Sequence, residues 1–397
     1  MVLALAIFIA VPVCAELALR AAGTQFEPQL YVADRGLGWK LRAGARGTVS
    51  AESKQWVQIN SHGFRDRERS YEKPINTVRI AVLGNSWTEA LQVPQEKVYA
   101  AVLQDDLQQR ACFAPKQVEV LNFGVAGYST AQELLTLQQK VWSYQPDIVL
   151  LAFYPARDIA NGLRELNNAV NPEQSPYFVY RDGKLVFDDA FRALPSMTAR
   201  EIFLQGVRYD VTDHVRLLQA VNYVQKMGRI RLAMSEAKAR AEKAGVDNLE
   251  YAIYAPPADA QIETAWKVTE ELLLMIRNEV KEHGAAFRLV ILATRPQVIP
   301  DLAKRQELMR KLGVTNLSYA ENRLRDFAGS QGMAVTDLAP ALSQFAETNH
   351  VYLNGFNRSN LGSGHWNEAG HRVAAAAMAG DLCGAEAAAR NGTRASN

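Results

Sequence analysis

The chain has 397 residues, of which 48% are hydrophobic and 22% are charged, and its formal net charge is +2. This composition is typical of a globular protein long enough for one large domain or for a core with a substantial insertion, and the near-neutral charge argues against nucleic-acid binding. The cysteines and histidines are not spaced as metal ligands, so we expect neither a metal site nor a cofactor.

The N-terminal residues, 1–22, have the composition of a membrane segment. Val2 to Ala15 are apolar without a break, and Glu16 is the first charged residue. The run is short for a spanning helix, which needs about 20 residues, but it is longer than a buried core helix needs. We expect an uncleaved signal anchor in the inner membrane, with the rest of the chain in the periplasm or outside the cell. The positive-inside rule favours the opposite orientation, because four basic residues follow the run: Arg20, Arg35, Lys40 and Arg42.

Two of the three cysteines, Cys112 and Cys383, each end a predicted helix, and Cys14 lies in the apolar run. An exported domain would allow a disulfide between Cys112 and Cys383, whereas a cytosolic domain would keep both as thiols. The sequence leaves both possibilities open.

An α/β domain is predicted at 78–383, after a region of loops and short strands at 23–77. Val78 to Leu83 form an apolar, β-branched run typical of a buried strand in a parallel sheet. Gly84 ends the run, and the small polar residues Asn85 and Ser86 favour a turn or a helix N-cap. Ser86 is the candidate nucleophile, because open α/β folds build their sites at the carboxyl ends of strands. The alternative is a serine that only ends the strand.

Strands alternate with helices along the rest of the domain. Further strands are predicted at Val118–Phe123, Asp147–Tyr154, Phe287–Ala293 and Met333–Leu338, and helices at Lys97–Arg110, Ala131–Tyr144, Ala260–His283, Ser318–Gly329 and from about Asn367. This alternation predicts a flavodoxin-like, three-layer α/β/α sandwich with a central parallel sheet.

An insertion at about 160–258 interrupts the alternation. It contains a predicted hairpin with Asp182 and Gly183 at its turn, and then a long helical stretch at 215–244. The insertion is either a peripheral helical decoration or a lid. The small, polar residues at 384–397 predict a disordered tail.

Four segments are expected to meet at one edge of the sheet. Ser86 follows the first strand, Gly127 the second and Arg157 the third, and His365 lies in the loop before the last helix. A serine needs a base to take its proton, and histidine titrates in the required range. The oxyanion of an acyl-transfer reaction needs donors, which the N–H groups of Ser86 and Gly127 and the side chain of Arg157 could supply. The arrangement predicts a serine hydrolase without a Gly-x-Ser-x-Gly elbow.

The order of these blocks resembles the SGNH (GDSL-type) hydrolase superfamily, especially its membrane-anchored bacterial members. The resemblance places Ser86 at the nucleophile of the Gly-Asp-Ser block, Gly127 at the oxyanion glycine and His365 at the base. It covers 78–158 and about 287–380. It implies an esterase acting on O-acyl groups, such as O-acetyl groups, of cell-envelope glycans.

Three residues depart from the family pattern. Asn85 replaces the aspartate before the nucleophile, where the role is largely hydrogen bonding. Arg157 replaces the oxyanion asparagine, and its N–H groups could still donate or could favour an anionic group. Ser363 stands where the triad aspartate is expected, so we expect His365 to act in a dyad, oriented by a backbone carbonyl or by Ser363. Asp158 is expected to cap its turn.

Two classes of function follow. The first is an exported serine esterase, or an acyltransferase if a glycan hydroxyl replaces water as the acceptor. The second is a catalytically impaired protein that binds glycans or assembles a secretion complex. The expected partners are an acylated glycan or another acyl ester, and a membrane through the N-terminal segment. No nucleic acid is expected, and the sequence does not determine the oligomeric state.

Overall fold

The computed structural model describes residues 2–50, 52–167, 172–244, 250–358 and 360–395. Parts of the predicted insertion, at 168–171 and 245–249, lie outside the described residues.

The described chain forms strands and helices with the following bounds. The strands are β1 Tyr31–Asp34, β2 Gly38–Leu41, β3 Arg46–Val49, β4 Gln55–Gln58, β5 Thr77–Gly84, β6 Gln117–Asn122, β7 Ile148–Phe153, β8 Tyr177–Arg181, β9 Lys184–Asp188, β10 Ala286–Ile291 and β11 Ala334–Asp337. The helices are α1 Val2–Ala21, α2 Ser86–Glu89, α3 Tyr99–Gln109, α4 Thr130–Gln139, α5 Pro155–Asn161, α6 Ala199–His214, α7 Arg216–Ala244, α8 Ala260–Glu282, α9 Leu302–Leu312, α10 Tyr319–Ser330, α11 Ala339–Asn349 and α12 Glu368–Ala395.

Five strands form a central parallel sheet in the order β11-β10-β7-β5-β6. Numbered along the chain, this is the 2-1-3-4-5 order of flavodoxin-like folds. Helices flank the sheet, with α3 packed against α12 and α4 against α8. The predicted three-layer α/β/α fold is confirmed, and each predicted strand lies within two residues of its observed bounds. The strand order reverses between β5 and β7, where such sheets bind ligands.

The first sheet strand, β5, is buried along its whole length. Its one charged residue, Arg79, is fully buried and donates from Nε to Glu119 Oε2 at 2.7 Å and from Nη1 to the carbonyl of Tyr144 at 2.8 Å. A buried charge is tolerated when it is paired and hydrogen-bonded in this way. Because the other residues of β5 are buried between β7 and β6, the turn after β5 has a fixed position within the sheet.

The N-terminal region forms two antiparallel hairpins, β1-β2 and β3-β4, as the prediction of loops and short strands implied. Buried residues of these hairpins pack with Val125, Tyr128 and Leu135 of the α/β domain. The region thereby lies beside the segment that follows β6.

The insertion contains the predicted hairpin, in which β8 pairs with β9 and the turn residues Asp182 and Gly183 have positive φ angles of 50° and 73°. The predicted long helix is α7, and α6 precedes it. Within the described part of the chain, no helix is both long and apolar enough to cross a membrane.

The last helix is longer than the sequence predicted. We expected disorder from 384, but α12 continues to Ala395. The segment is rich in alanine, which has the highest helix propensity. Arg390 pairs with Glu386 one turn earlier at 3.0 Å and also donates to the carbonyl of Ala114 at 3.0 Å. A disulfide joins Cys112, just after α3, to Cys383 in α12, with a Cα–Cα distance of 5.1 Å.

Candidate active site

The candidate nucleophile, Ser86, lies at the start of α2, directly after the sharp turn that follows β5. Asn85 caps the helix, and its side-chain oxygen accepts a hydrogen bond from the backbone N–H of Trp87 at 3.1 Å. Gly84 is required here, because a Cβ atom at this position would lie 2.1 Å from Thr88 Oγ1. Ser86 is the first residue of α2 and is partly exposed, whereas the rest of this short helix is buried. The turn therefore presents one hydroxyl at the carboxyl edge of the sheet.

A buried carboxyl holds this turn from behind. Asp158 is fully buried and accepts from Asn85 Nδ2 at 2.8 Å and from the backbone N–H of Tyr154 at 2.6 Å. Tyr154 is the N-cap residue of α5, so Asp158 caps its own turn as expected and also positions Asn85. Burial raises the pKa of Asp158 to about 7. Burial and the nearby Asp158 raise the pKa of Glu133 well above its ordinary value.

The candidate base lies within hydrogen-bond distance of the nucleophile. His365 Nε2 is 2.8 Å from Ser86 Oγ. The His365 ring packs beside the Trp87 ring, with 4.9 Å between their centroids, and the next residue, Trp366, is fully buried. Aromatic packing under the loop thus fixes the imidazole in front of the serine.

The carboxylate partner of this histidine comes from the N-terminal region. Glu52 Oε1 is 2.6 Å from His365 Nδ1, and Glu52 Oε2 accepts from the backbone N–H of His365 at 2.7 Å. The expectation of a dyad is therefore wrong for the geometry. Ser363 does not orient the imidazole, because it is exposed and its hydroxyl donates to the carbonyl of Asn360 at 2.8 Å.

The environment of Glu52 keeps its carboxylate charged. Burial raises the pKa of Glu52, but the hydrogen bonds and charge of His365 outweigh burial, so the pKa lies below its ordinary value. Gly364 leaves room for the carboxylate, because a Cβ atom there would lie 2.1 Å from Glu52 Oε2. An ionised carboxylate on Nδ1 selects the tautomer in which Nε2 can accept the serine proton.

Sequence reasoning missed Glu52 because it lies 313 residues before His365. It sits in the connection between β3 and β4, which has no recognisable block pattern. The connection is fixed by Ser53, whose hydroxyl donates to the carbonyl of Gln92 at 2.5 Å. The three groups Ser86, His365 and Glu52 meet only through folding.

The segment after β6 lies against the nucleophile turn. The N–H of Val125 donates to the carbonyl of Gly84 at 3.1 Å, and the carboxyl of Glu89 accepts the N–H of Ala126. Gly127 follows with a φ angle of 82°, beside the Trp39 ring. Within the described residues, the structure gives the N–H groups of Ser86 and Gly127 no acceptor. Two unpaired donors at this edge suit an oxyanion.

The third expected oxyanion donor, Arg157, is exposed in the first turn of α5. Its role in the site stays a prediction. Among the described residues, no group of three or more His, Cys, Asp or Glu side chains is placed to hold a metal ion.

Comparisons with known proteins give matches at the level of structure alone. No family model and no curated protein matches the chain, whereas 33 chains of solved structures do. Three of these are lipolytic or ester-cleaving proteins by description. One is described as a lipolytic protein of the G-D-S-L family from Desulfitobacterium hafniense DCB-2, with a TM-score of 0.35 and 11% identity, covering 77% of this chain and 99% of its own.

Two acetyl xylan esterases are similar to the same extent. The esterase AlAXEase has a TM-score of 0.37 and 15% identity, covering 76% of this chain and 98% of its own. A catalytic mutant of an acetylxylan esterase from Geobacillus stearothermophilus has a TM-score of 0.36 and 12% identity, covering 77% and 94%. At these TM-scores we draw no conclusion from the similarity, and the function is inferred from the site.

Proposed function

We propose that this chain is an SGNH-type serine hydrolase that cleaves acyl esters, with Ser86 as nucleophile, His365 as base and Glu52 as the carboxylate of a triad. The observation that carries the proposal is the hydrogen-bonded series from Ser86 Oγ to His365 Nε2 at 2.8 Å and from His365 Nδ1 to Glu52 Oε1 at 2.6 Å. A nucleophile, a base and an orienting carboxylate in this order are the groups that acyl transfer requires.

The reaction begins when Ser86 Oγ attacks the acyl carbonyl carbon and His365 Nε2 takes the hydroxyl proton. The carboxylate of Glu52 stabilises the resulting imidazolium. The N–H groups of Ser86 and Gly127 bind the carbonyl oxygen as it becomes negative. When the tetrahedral intermediate collapses, His365 returns the proton to the leaving alcohol and the acyl group remains on Ser86.

A water molecule then attacks the acyl-enzyme. His365 removes a proton from the water, and the second tetrahedral intermediate releases a carboxylic acid and restores Ser86. If a glycan hydroxyl attacks in place of water, the same steps transfer the acyl group. Ser86 is partly exposed, so either acceptor could reach the acyl-enzyme.

The proposed substrates are O-acyl groups, such as O-acetyl groups, on cell-envelope glycans. The proposed location is the outer side of the inner membrane, with α1 as the anchor. The disulfide between Cys112 and Cys383 supports an oxidising compartment. The carboxylate of Glu52 contacts His365 as a triad acid would. The serine at position 363 is therefore no longer a reason to expect an impaired, glycan-binding protein, whereas Asn85 and Arg157 still depart from the family pattern.

Fluorophosphonate labelling of the purified chain tests the proposal. We expect labelling of the native protein and none of Ser86→Ala or His365→Ala. Ser363→Ala is the matched control, since it removes an exposed hydroxyl two residues from His365 and should label normally. A folded native protein that neither labels nor hydrolyses aryl acetates would overturn the proposal. Acetate release from an O-acetylated envelope glycan, compared with the same glycan after chemical deacetylation, tests the substrate class.

A further inference from the structure

The insertion contains a helix whose apolar side chains face outward. In α6 the exposed apolar residues recur at spacings of three and four, which places them on one face of the helix; they are Phe203, Leu204, Val207 and Val211. The face turned toward the protein is polar in part, because Gln205 Oε1 accepts the N–H of Ala33 at 2.8 Å and Thr212 is buried. The outward side of α6 therefore carries large apolar side chains among charged ones such as Arg208 and Asp210, while Ile202 packs against buried residues on the inner side.

The neighbouring helices α1 and α7 extend this apolar surface. Helix α1 contacts α7, and α7 also contacts α6. Exposed apolar residues lie on α1 at Phe8, Val11, Val13 and Leu17, and on α7 at Leu218, Val221, Val224 and Leu232. Single exposed apolar residues are common on soluble proteins, but a group on three adjacent helices marks an interaction surface.

The charged residues of α1 attach it to the corner between α6 and α7. The carboxylate of Glu16 accepts hydrogen bonds from the backbone N–H groups of Arg216 and Leu217 at 3.1 and 2.8 Å. These are the first two N–H groups of α7, which have no acceptor within the helix. Arg20 donates to the carbonyl of His214, the last residue of α6, at 2.6 Å. The apolar residues before Glu16 therefore extend from the same corner that exposes the apolar face of α6.

We propose that α1, α6 and α7 together form a surface that binds a phospholipid bilayer, with the outward face of α6 lying in the headgroup region. On this proposal the insertion is a membrane-contacting element and not a lid over the active site. The continuity of the surface with the apolar run of α1 favours lipid as the occupant. The proposal does not depend on the hydrolase activity of the Ser86 site.

The charge of the insertion favours anionic lipids. Between 199 and 232 there are six arginine and lysine residues and three aspartate and glutamate residues. Asp210 and Asp213 are paired with Arg42 at 3.2 and 2.5 Å. Among the basic residues, Lys226 is paired with Glu27 at 2.7 Å and Arg200 lies 3.8 Å from Glu201, so the excess of basic residues remains when these pairs are included. Helices with apolar residues on one side and an excess of basic residues bind the interface of anionic bilayers.

The test uses the full chain with one fluorescent label on α6. In a Cys14→Ala background, Val207→Cys is labelled with an environment-sensitive maleimide; the cysteines of the disulfide do not react. The matched control is Ile75→Cys, which replaces a residue 96% exposed in the loop before β5. Vesicles of phosphatidylcholine with a minority of phosphatidylglycerol are prepared with and without brominated acyl chains.

We expect the label at position 207 to shift to shorter wavelength with vesicles and to be quenched several-fold more strongly by brominated lipid than the label at 75. Equal quenching at the two positions would overturn the proposal. A shift at 207 that needs no vesicles and grows with protein concentration would identify a second copy of the chain as the occupant, and would also overturn it. Matching thermal melts show that both labelled variants are folded.

Discussion

Glu52 and His365 are joined by two hydrogen bonds, one from the imidazole at 2.6 Å and one from the backbone N–H at 2.7 Å. The bidentate contact fixes both the ring and the loop that carries it. It also places a carboxylate from the N-terminal region in a site whose nucleophile and base belong to the α/β domain.

Replacement of Glu52 by glutamine should lower kcat/KM toward an aryl acetate by on the order of 10²–10⁴-fold, because an amide has one acceptor oxygen for two N–H donors and no charge to stabilise the imidazolium. Steady-state kinetics and the rate of fluorophosphonate labelling measure the effect. Ser363→Ala should retain the native rate. If Glu52→Gln were as active as the native protein, His365 would act without its carboxylate.

Gly364→Ala should reduce activity without unfolding the protein. The new methyl group would lie 2.1 Å from Glu52 Oε2 and force the carboxylate away from His365. Gly313→Ala is the matched control, because Gly313 also has a positive φ angle, 67°, but has no atom near its missing Cβ. Equal kinetics for the two variants would show that the position of Glu52 does not limit catalysis.

Asp158→Asn should destabilise the protein by about 1–3 kcal/mol, because two buried donors converge on Asp158 and an amide offers one acceptor oxygen. Urea unfolding measures the change, and kcat should fall as the Ser86 turn loosens. Asp259→Asn serves as the control: this exposed N-cap accepts the N–H of Ile262 at 2.8 Å, and asparagine caps equally well. A loss of equal size in both variants would contradict the role of Asp158.

Glu133→Gln should change how stability depends on pH. Burial raises the pKa of Glu133 well above its ordinary value of 4.5. The folded state therefore keeps a proton that the unfolded state releases, and this contribution to the free energy of unfolding is present below the unfolded pKa and is lost as the pH rises toward the folded pKa.

Urea unfolding at a series of pH values from about 5 to about 8 should thus show a steeper fall in stability for the native protein than for Glu133→Gln. Glu173→Gln, which alters an exposed side chain, provides the comparison. Parallel curves for the native protein and Glu133→Gln would show that Glu133 does not hold the extra proton.

Reduction of the disulfide, or Cys383→Ser, should lower the free energy of unfolding. The bond joins residues separated by 271 positions, and loss of a native disulfide typically costs about 2–5 kcal/mol. Urea titrations with and without reductant measure the loss. Cys14→Ser, at an exposed free cysteine, should have no effect, and an unchanged midpoint after reduction would contradict the expectation.

The parts of the site that sequence could predict are those set by local pattern. An apolar strand ending in Gly84 predicts the turn that presents Ser86, and the loop before an amphipathic helix predicts the place of His365. Both residues are positioned by the element beside them in the chain. The alternating strands and helices imply a parallel sheet, which predicts that the Ser86 turn lies at its carboxyl edge.

Glu52 could not be predicted in this way, because its position depends on how the β3-β4 hairpin packs against another part of the protein. The extent of α12 was missed for a different reason. Small, polar residues predict disorder, but the alanines among them favour a helix, and Arg390 anchors that helix to the carbonyl of Ala114.

The β3-β4 hairpin contributes no strand to the central sheet, so its turn can change in evolution at little cost to the fold. Ser86 and His365 are held by elements whose loss would disrupt the core, whereas Glu52 lies on a two-stranded ribbon outside it. We therefore expect related proteins with and without catalytic activity to differ in this hairpin. Their nucleophile and histidine segments should remain the same.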